Sequence, residues 1–160
     1  MKKLITCLLL LLTAAGLLAQ QNKPVVAVMP FTVGSGVSAS EADAITNIFV
    51  IKLVHAGKVE VINRAALETV IKEHNFQAGD LADNEKKAKL GKALNAEFIA
   101  QGKLEKIGGS ILVSVQLLSI ETHEFISGAG SRFADMEEAY RKMDAIVDSL
   151  LKSIQTREKN

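Results

Sequence analysis

Residues 57–80 read GKVEVINRAALETVIKEHNFQAGD. Gly57 can end a helix, because glycine enters the left-handed region without a steric cost. Lys58 to Ile62 then alternates polar and apolar, the period of a strand with one buried face. Asn63 suits an N-cap, where its side-chain oxygen accepts from a free N–H of the first turn. Leu67, Val70 and Ile71 follow on one stripe at helical spacing. The helix ends near His74, and Gln77-Ala78-Gly79-Asp80 turns the chain. Strand, cap, helix and turn thus follow one another, with no side chain placed for catalysis.

Upstream, Val25 to Phe31 is a nearly continuous apolar run, as in a buried strand, with Pro30 making its end irregular. Thr32 to Ala39 reads as a Gly/Ser loop. Ser38 with Glu41, or Ser40 with Asp43, can cap a helix that runs to about His55. The apolar residues of that helix, Ile45, Ile48, Phe49, Ile51, Leu53 and Val54, cover more than one face. Such a helix is deeply buried or keeps an apolar side for a partner.

Downstream, Asp83 caps a third helix to about Leu94. A strand over Ala96 to Lys106 has Phe98, Ala100 and Leu104 on one face and Gln101, Lys103 and Glu105 on the other. Gly108-Gly109 makes a tight hairpin. The next strand, Ser110 to Glu121, places Ile111, Val113, Val115 and Leu117 opposite Ser114 and Gln116. A turn around Glu121 to Glu124 leads into Phe125 to Phe133. The last helix, from Asp135 to Thr156, carries the stripe Met136, Tyr140, Met143, Ile146 or Val147, Leu150 and Ile154.

The order is β-α-β-α-α-β-β-β-α. Helix-linked strands can run parallel by right-handed crossovers, and the last three form a meander. The expected fold is α/β (α+β): a single mixed sheet of about five strands with helices mainly on one face. Polar alternation in the last strands leaves the other face partly open to water.

Residues 1–19 have the layout of a secretory signal peptide: Lys2 and Lys3, an apolar run from Leu4 to Leu12, then small residues ending at Ala19. The run is short for a membrane span. Cys7 lies near its start, a poor position for a lipid-attachment cysteine, so no lipid anchor is expected. Residues 20–156 are then one periplasmic domain and residues 157–160 a charged tail. Cleavage removes the chain's one cysteine, and with it any disulfide or thiolate metal site. Without Lys2 and Lys3 the 19 basic side chains fall one short of the 18 acidic ones. That balance, with no tryptophan and one tyrosine, argues against nucleic acid as a partner.

Motifs for chemistry are weak. Gly34-Ser35-Gly36-Val37-Ser38-Ala39 fits a phosphate-cradling G-x-G-x-x-A, but Pro30 to Val33 separates it from the strand, and Glu60 is poorly placed as a ribose ligand. Ser149-Leu150-Leu151-Lys152 matches S-x-x-K without its companion elements. His55, His74 and His123 are widely spaced. Asp80, Asp83 and Glu85 lack calcium-loop spacing, and Asp83 is better used as a cap. Lys86, Lys87, Lys89 and Lys92 read as a solvated helix face. No catalytic, cofactor-binding or metal residues are assigned, no cofactor is expected, and the protein is not expected to be an enzyme.

Four segments resemble a bacterial envelope family that includes the curli-secretion protein CsgG, the penicillin-binding-protein activator LpoB and the flagellar protein FlgO. Val25 to Phe31 is similar to its opening strand. Val59 to Gly79 is similar to its strand and R-x-x-L-x-x-x-x-x-E helix, here Arg64, Leu67 and Glu73. LGKALNAEFIAQGK (90–103) is similar to its helix-to-strand step, and SVQLLSIETHE (114–124) to its hairpin, with His123 where glycine is usual. The resemblance implies a non-catalytic, exported accessory protein that binds or helps assemble another envelope protein. The contacts would come from a sheet face or edge and the Gly34 to Ser40 loop. It leaves room for peripheral outer-membrane association and for oligomers. Two alternatives are a subunit of a curli-type or flagellar outer-membrane assembly, and a small-ligand or nucleotide module using the Gly34–Ala39 loop.

Overall fold

The computed structural model describes residues 23–157, apart from Ala78, Asp80 and Leu81. The expected signal peptide, Cys7, Asp80 and the last three residues lie outside the described residues. The chain runs β1 (Val25–Val28), β2 (Thr32–Val33), α1 (Ala39–Ala56), β3 (Glu60–Val61), α2 (Arg64–Glu73), α3 (Asn84–Ala93), β4 (Phe98–Ile107), β5 (Ser110–Ser119), β6 (Phe125–Phe133) and α4 (Met136–Arg157). These strands form one mixed sheet in the order β3-β1-β4-β5-β6, with β2 paired to β4. β1 runs parallel to β3 and β4, whereas β4, β5 and β6 are an antiparallel meander.

The sheet has one strand more than the sequence pattern suggests, and Pro30 is the cause. Proline has no N–H for the ladder. The chain leaves the sheet after Met29, whose N–H still reaches Ala100 O at 2.9 Å. It rejoins at Thr32–Val33, opposite Lys103 and Leu104. Phe31 lies in the gap, and its N–H donates to the Thr46 hydroxyl at 3.1 Å. That hydroxyl donates in turn to Ala42 O at 2.7 Å. Thr46 is buried, so no water replaces it. Thr46→Val keeps the shape and orphans the Phe31 N–H. It should lower stability by about 1–3 kcal/mol in urea unfolding, whereas Thr46→Ser should cost less.

The helix ends follow local chemistry. Ser38 and Glu41 form a reciprocal capping box on α1. Gly57 closes that helix at φ 66°, its N–H bonded to Val54 O. Asn63 Oδ1 accepts from Ala66 N, and Asp83 accepts from Glu85 N and Lys86 N.

Alternate residues of the central strands point to opposite faces, and each face has its own core. Val26, Val28, Phe98, Ala100, Leu104, Ile111, Val113, Val115 and Leu117 face the larger core, under the two longest helices, α1 and α4. Phe49, Ile45 and Leu53 of α1, and Met143, Ile146 and Leu150 of α4, fill it. Ala27, Met29, Ile99 and Leu118 face a smaller core, closed by Leu67 of α2 and by Ala88 and Leu90 of α3. The two ten-residue helices therefore cover one end of the second face.

One expectation changes, and one open alternative is decided. Tyr140, placed on the α4 core stripe, is 46% exposed, with Lys52 Nζ 3.9 Å from its ring centre. Ile51 and Val54 of α1 are 44% and 52% exposed, so that helix does keep an apolar side outside the core.

Candidate protein-docking surface

The meander leaves much of the second face without a helix. Beyond Ile99 and Leu118, the side chains on this face include Gln101, Lys103, Glu105 and the exposed Ile107 of β4, Ser110, Leu112, Ser114 and Gln116 of β5, and Arg132 of β6. Gly128 and Gly130 complete the last row. Register sets three cross-strand rows: Gln101–Gln116–Gly128, Lys103–Ser114–Gly130 and Glu105–Leu112–Arg132. Gln101 Nε2 donates to Gln116 Oε1 at 3.3 Å, and Lys103 Nζ meets Glu105 Oε1 at 2.6 Å. The glycines leave the third strand low and the backbone accessible. The result is a flat, polar, weakly charged surface suited to a macromolecule rather than a small ligand.

The Gly34–Ala39 loop lies at one end of this surface. Gly34 N donates to Leu104 O at 2.7 Å, and Lys106 N to Ser35 O at 2.9 Å. A β-carbon at Gly34 would fall 2.5 Å from Leu104 O, so this glycine is required for close packing on β4. A phosphate would need the free N–H groups at the start of α1. Glu41 sets a carboxylate beside them: it accepts from Ser38 N at 2.7 Å and from the Ser38 hydroxyl at 2.7 Å, while Glu41 N donates to Ser38 Oγ at 3.2 Å. The same bonds hold the Glu41 carboxyl below its ordinary value, with Lys106 adding a smaller effect. The loop carries its own anion.

The other motifs are dispersed. His55 is in the last turn of α1, His74 caps α2, and His123 sits in the β5–β6 turn at φ 59°. The backbone at His123 thus keeps the left-handed conformation that glycine favours. Ser149 and Lys152 lie on α4. Glu60 lies in β3. Among the described residues no group of three His, Cys, Asp or Glu could hold a metal ion. No described helix is long and apolar enough to cross a membrane.

The basic helix α3 contains a correction. Lys86, Lys89 and Lys92 are exposed, but Lys87 is only 4% exposed. Its Nζ lies 3.3 Å from Asn84 Oδ1 and 5.5 Å from the centre of the Phe125 ring. Charge spacing along a helix does not reveal this, because Phe125 arrives from the far end of the meander. Burial pushes the Lys87 ammonium below the ordinary 10.5, with Asp83 opposing the shift. The folded state therefore releases this proton first, and the unfolded chain binds more protons between the two values. Stability should rise with pH across that window. Lys87→Met should remove the rise and add about 1 kcal/mol at pH 7, read from urea midpoints at pH 7 and 10.

A crevice of about 270 Å³ opens at the carboxyl ends of β1 and β3, lined by Val28, Pro30, Val50, Val61, Asn63 and Arg64. Two of its polar side chains are committed. Asn63 caps α2, and Arg64 pairs with Glu68 at 2.8 Å and Asp43 at 3.3 Å.

The family model for the peptidoglycan-synthase activator LpoB matches residues 16–126. The chain belongs to the LpoB family. Among solved structures it is similar to the LpoB C-terminal domain from Salmonella enterica, with 16% identity and a TM-score of 0.58 over 76% of this chain and 92% of that one. It is also similar to lipoprotein GNA1162 from Neisseria meningitidis, with 13% identity and a TM-score of 0.59 over 85% and 96%. A third similar structure is the PelC dodecamer from Paraburkholderia phytofirmans, with 12% identity and a TM-score of 0.55 over 81% and 89%. At these identities the likeness is one of fold. No curated protein matches the chain. The LpoB part of the resemblance is thus supported, while its curli-secretion and flagellar parts receive no support from these matches.

Proposed function

We propose that this protein is an exported, non-catalytic accessory protein of the bacterial envelope that binds a peptidoglycan synthase and raises its activity. The family match over residues 16–126 carries this reading. The polar, helix-free face of β4, β5 and β6 supports it, because it offers a built surface without a catalytic constellation. The signal-peptide pattern of residues 1–19 supports a periplasmic location. The Glu41 carboxylate at the start of α1 weighs against the nucleotide alternative. No observation favours a curli-type or flagellar assembly.

Titration of the protein into a purified peptidoglycan synthase from the same organism tests the reading by calorimetry. Saturable binding is expected, weakened at least tenfold by joint Lys103→Glu and Arg132→Glu substitution. An absence of heat or complex at any concentration would sink it.

A further inference from the structure

We infer that the outer rim of β6, together with α4, forms a groove that takes up an extended acidic segment of a protein partner as an additional strand. The inference rests on the proposed protein-binding function and specifies the contact.

β6 is the last strand of the sheet, and among the described residues no strand lies beyond it. The direction of its backbone groups can be read from one bond. Lys142 Nζ donates to Arg132 O at 3.4 Å, so this carbonyl points away from β5, toward α4. In an antiparallel ladder the N–H and C=O of one residue point to the same side, and successive residues alternate. The register of β6 with β5 is regular from Ser127 to Phe133. The N–H and C=O of Gly130 and Gly128 therefore share the outer rim with Arg132. Arg132 O is taken by Lys142, and the outward groups of Gly130 and Gly128 are complementary to one kind of ligand, an extended backbone.

The second wall is α4. It lies beside β6, fastened by the Ser153 hydroxyl donating to Ser127 Oγ at 2.8 Å. Where β6 begins, the two elements flank an open groove of about 480 Å³, lined by Ile126, Lys152, Ser153, Thr156 and Arg157. A strand edge facing a helix can hold the backbone of a peptide on one side and its side chains on the other.

Charge selects the occupant. Residues 142, 149, 153 and 156 fall on one stripe of α4 at 100° per residue, toward the rim. Lys152 and Arg157 flank this stripe. Neither makes an ion pair among the described residues, and Arg157 donates only to the Thr122 hydroxyl at 3.3 Å. The acids of α4 lie elsewhere. Asp144 is bound to Lys52 of α1, and Asp148 lies one turn along on that same side. Glu138, the one acid near the stripe, is paired with Lys142. The groove is therefore cationic, and an acidic segment fits it.

The test uses two substitutions at one position. A β-carbon at Gly128 would meet nothing closer than 3.8 Å, so both variants fit sterically. Gly128→Pro removes the outward N–H and leaves the β5 ladder intact, while Gly128→Ala keeps it. The probe is a fluorescent heptapeptide of alternating Glu and Val, compared with one of alternating Lys and Val. The Glu peptide should bind saturably and shift the amide signals of Gly128 and Gly130 in NMR spectra of the full chain. Gly128→Pro and Lys152→Glu should each weaken it at least tenfold, and Gly128→Ala less than twofold. Equal binding to Gly128→Pro, or no preference for Glu over Lys, overturns the inference. So does a dimer of the free protein that Gly128→Pro dissolves, since the rim would then serve a second copy. Undiminished synthase binding by Gly128→Pro would remove the rim and leave the proposed function standing.

Discussion

Phe49→Ala should lower the unfolding free energy by about 3–5 kcal/mol, the largest effect expected of any single truncation in this chain. Phe49 is fully buried on α1, and its ring packs against Phe31 at 5.4 Å between centroids. It stands in the larger core, with α4 on one side and the sheet on the other. Truncation removes the transfer energy of the ring and leaves a cavity that rigid neighbours cannot close. The chain's single cysteine has no second one to pair with, so no internal disulfide shares the load with the core. Urea unfolding followed by circular dichroism checks this. A loss under 1 kcal/mol would mean that α1 does not pack as described.

Gly102→Val should cost about 3 kcal/mol, although valine favours strands. Gly102 lies in the middle of β4, and a β-carbon there would fall 2.6 Å from carbons of the Phe31 ring. The ring cannot retreat, because Phe49 lies behind it. Phe31 is also pinned at the Pro30 kink by the Thr46 hydroxyl. Phe31→Ala opens the space that the valine needs. The double variant should therefore lose at least about 1 kcal/mol less than the sum of the single ones, a coupling that unfolding midpoints resolve. Strict additivity would contradict this contact.

These two residues show where sequence reading reaches its limit. Gly57, Asn63, Ser38 and Asp83 act within one turn of themselves, and their roles as caps follow from local chemistry alone. The alternation of β4 and β5 names the core face and the open face correctly, because the period of a strand is fixed. Gly102 and β2 are different. Two residues, Thr32 and Val33, form a strand only because Lys103 and Leu104 lie beside them, 71 positions away. Lys87 is similar: it is buried by a ring from β6 that no helical pattern predicts. Tyr140 fits the α4 stripe by spacing but lies at its margin, against Lys52. The open face was legible as polar alternation. The rim groove was not, because it depends on which way the Arg132 carbonyl points.

The same division applies to function. Of the residues that carry the resemblance, Leu67 packs in the smaller core and Arg64 pairs with Glu68 and Asp43. They identify the module, and the proposed binding falls to the surfaces that it holds in place. For a family of synthase activators, the decisive quantity is the rate of the partner enzyme. Glycan polymerisation and cross-linking by the purified synthase should be followed with increasing amounts of the full chain. A saturable rise in rate is expected, which Lys103→Glu with Arg132→Glu abolishes without lowering the protein's own stability. An unchanged rate at saturating protein, with the complex formed, would contradict it.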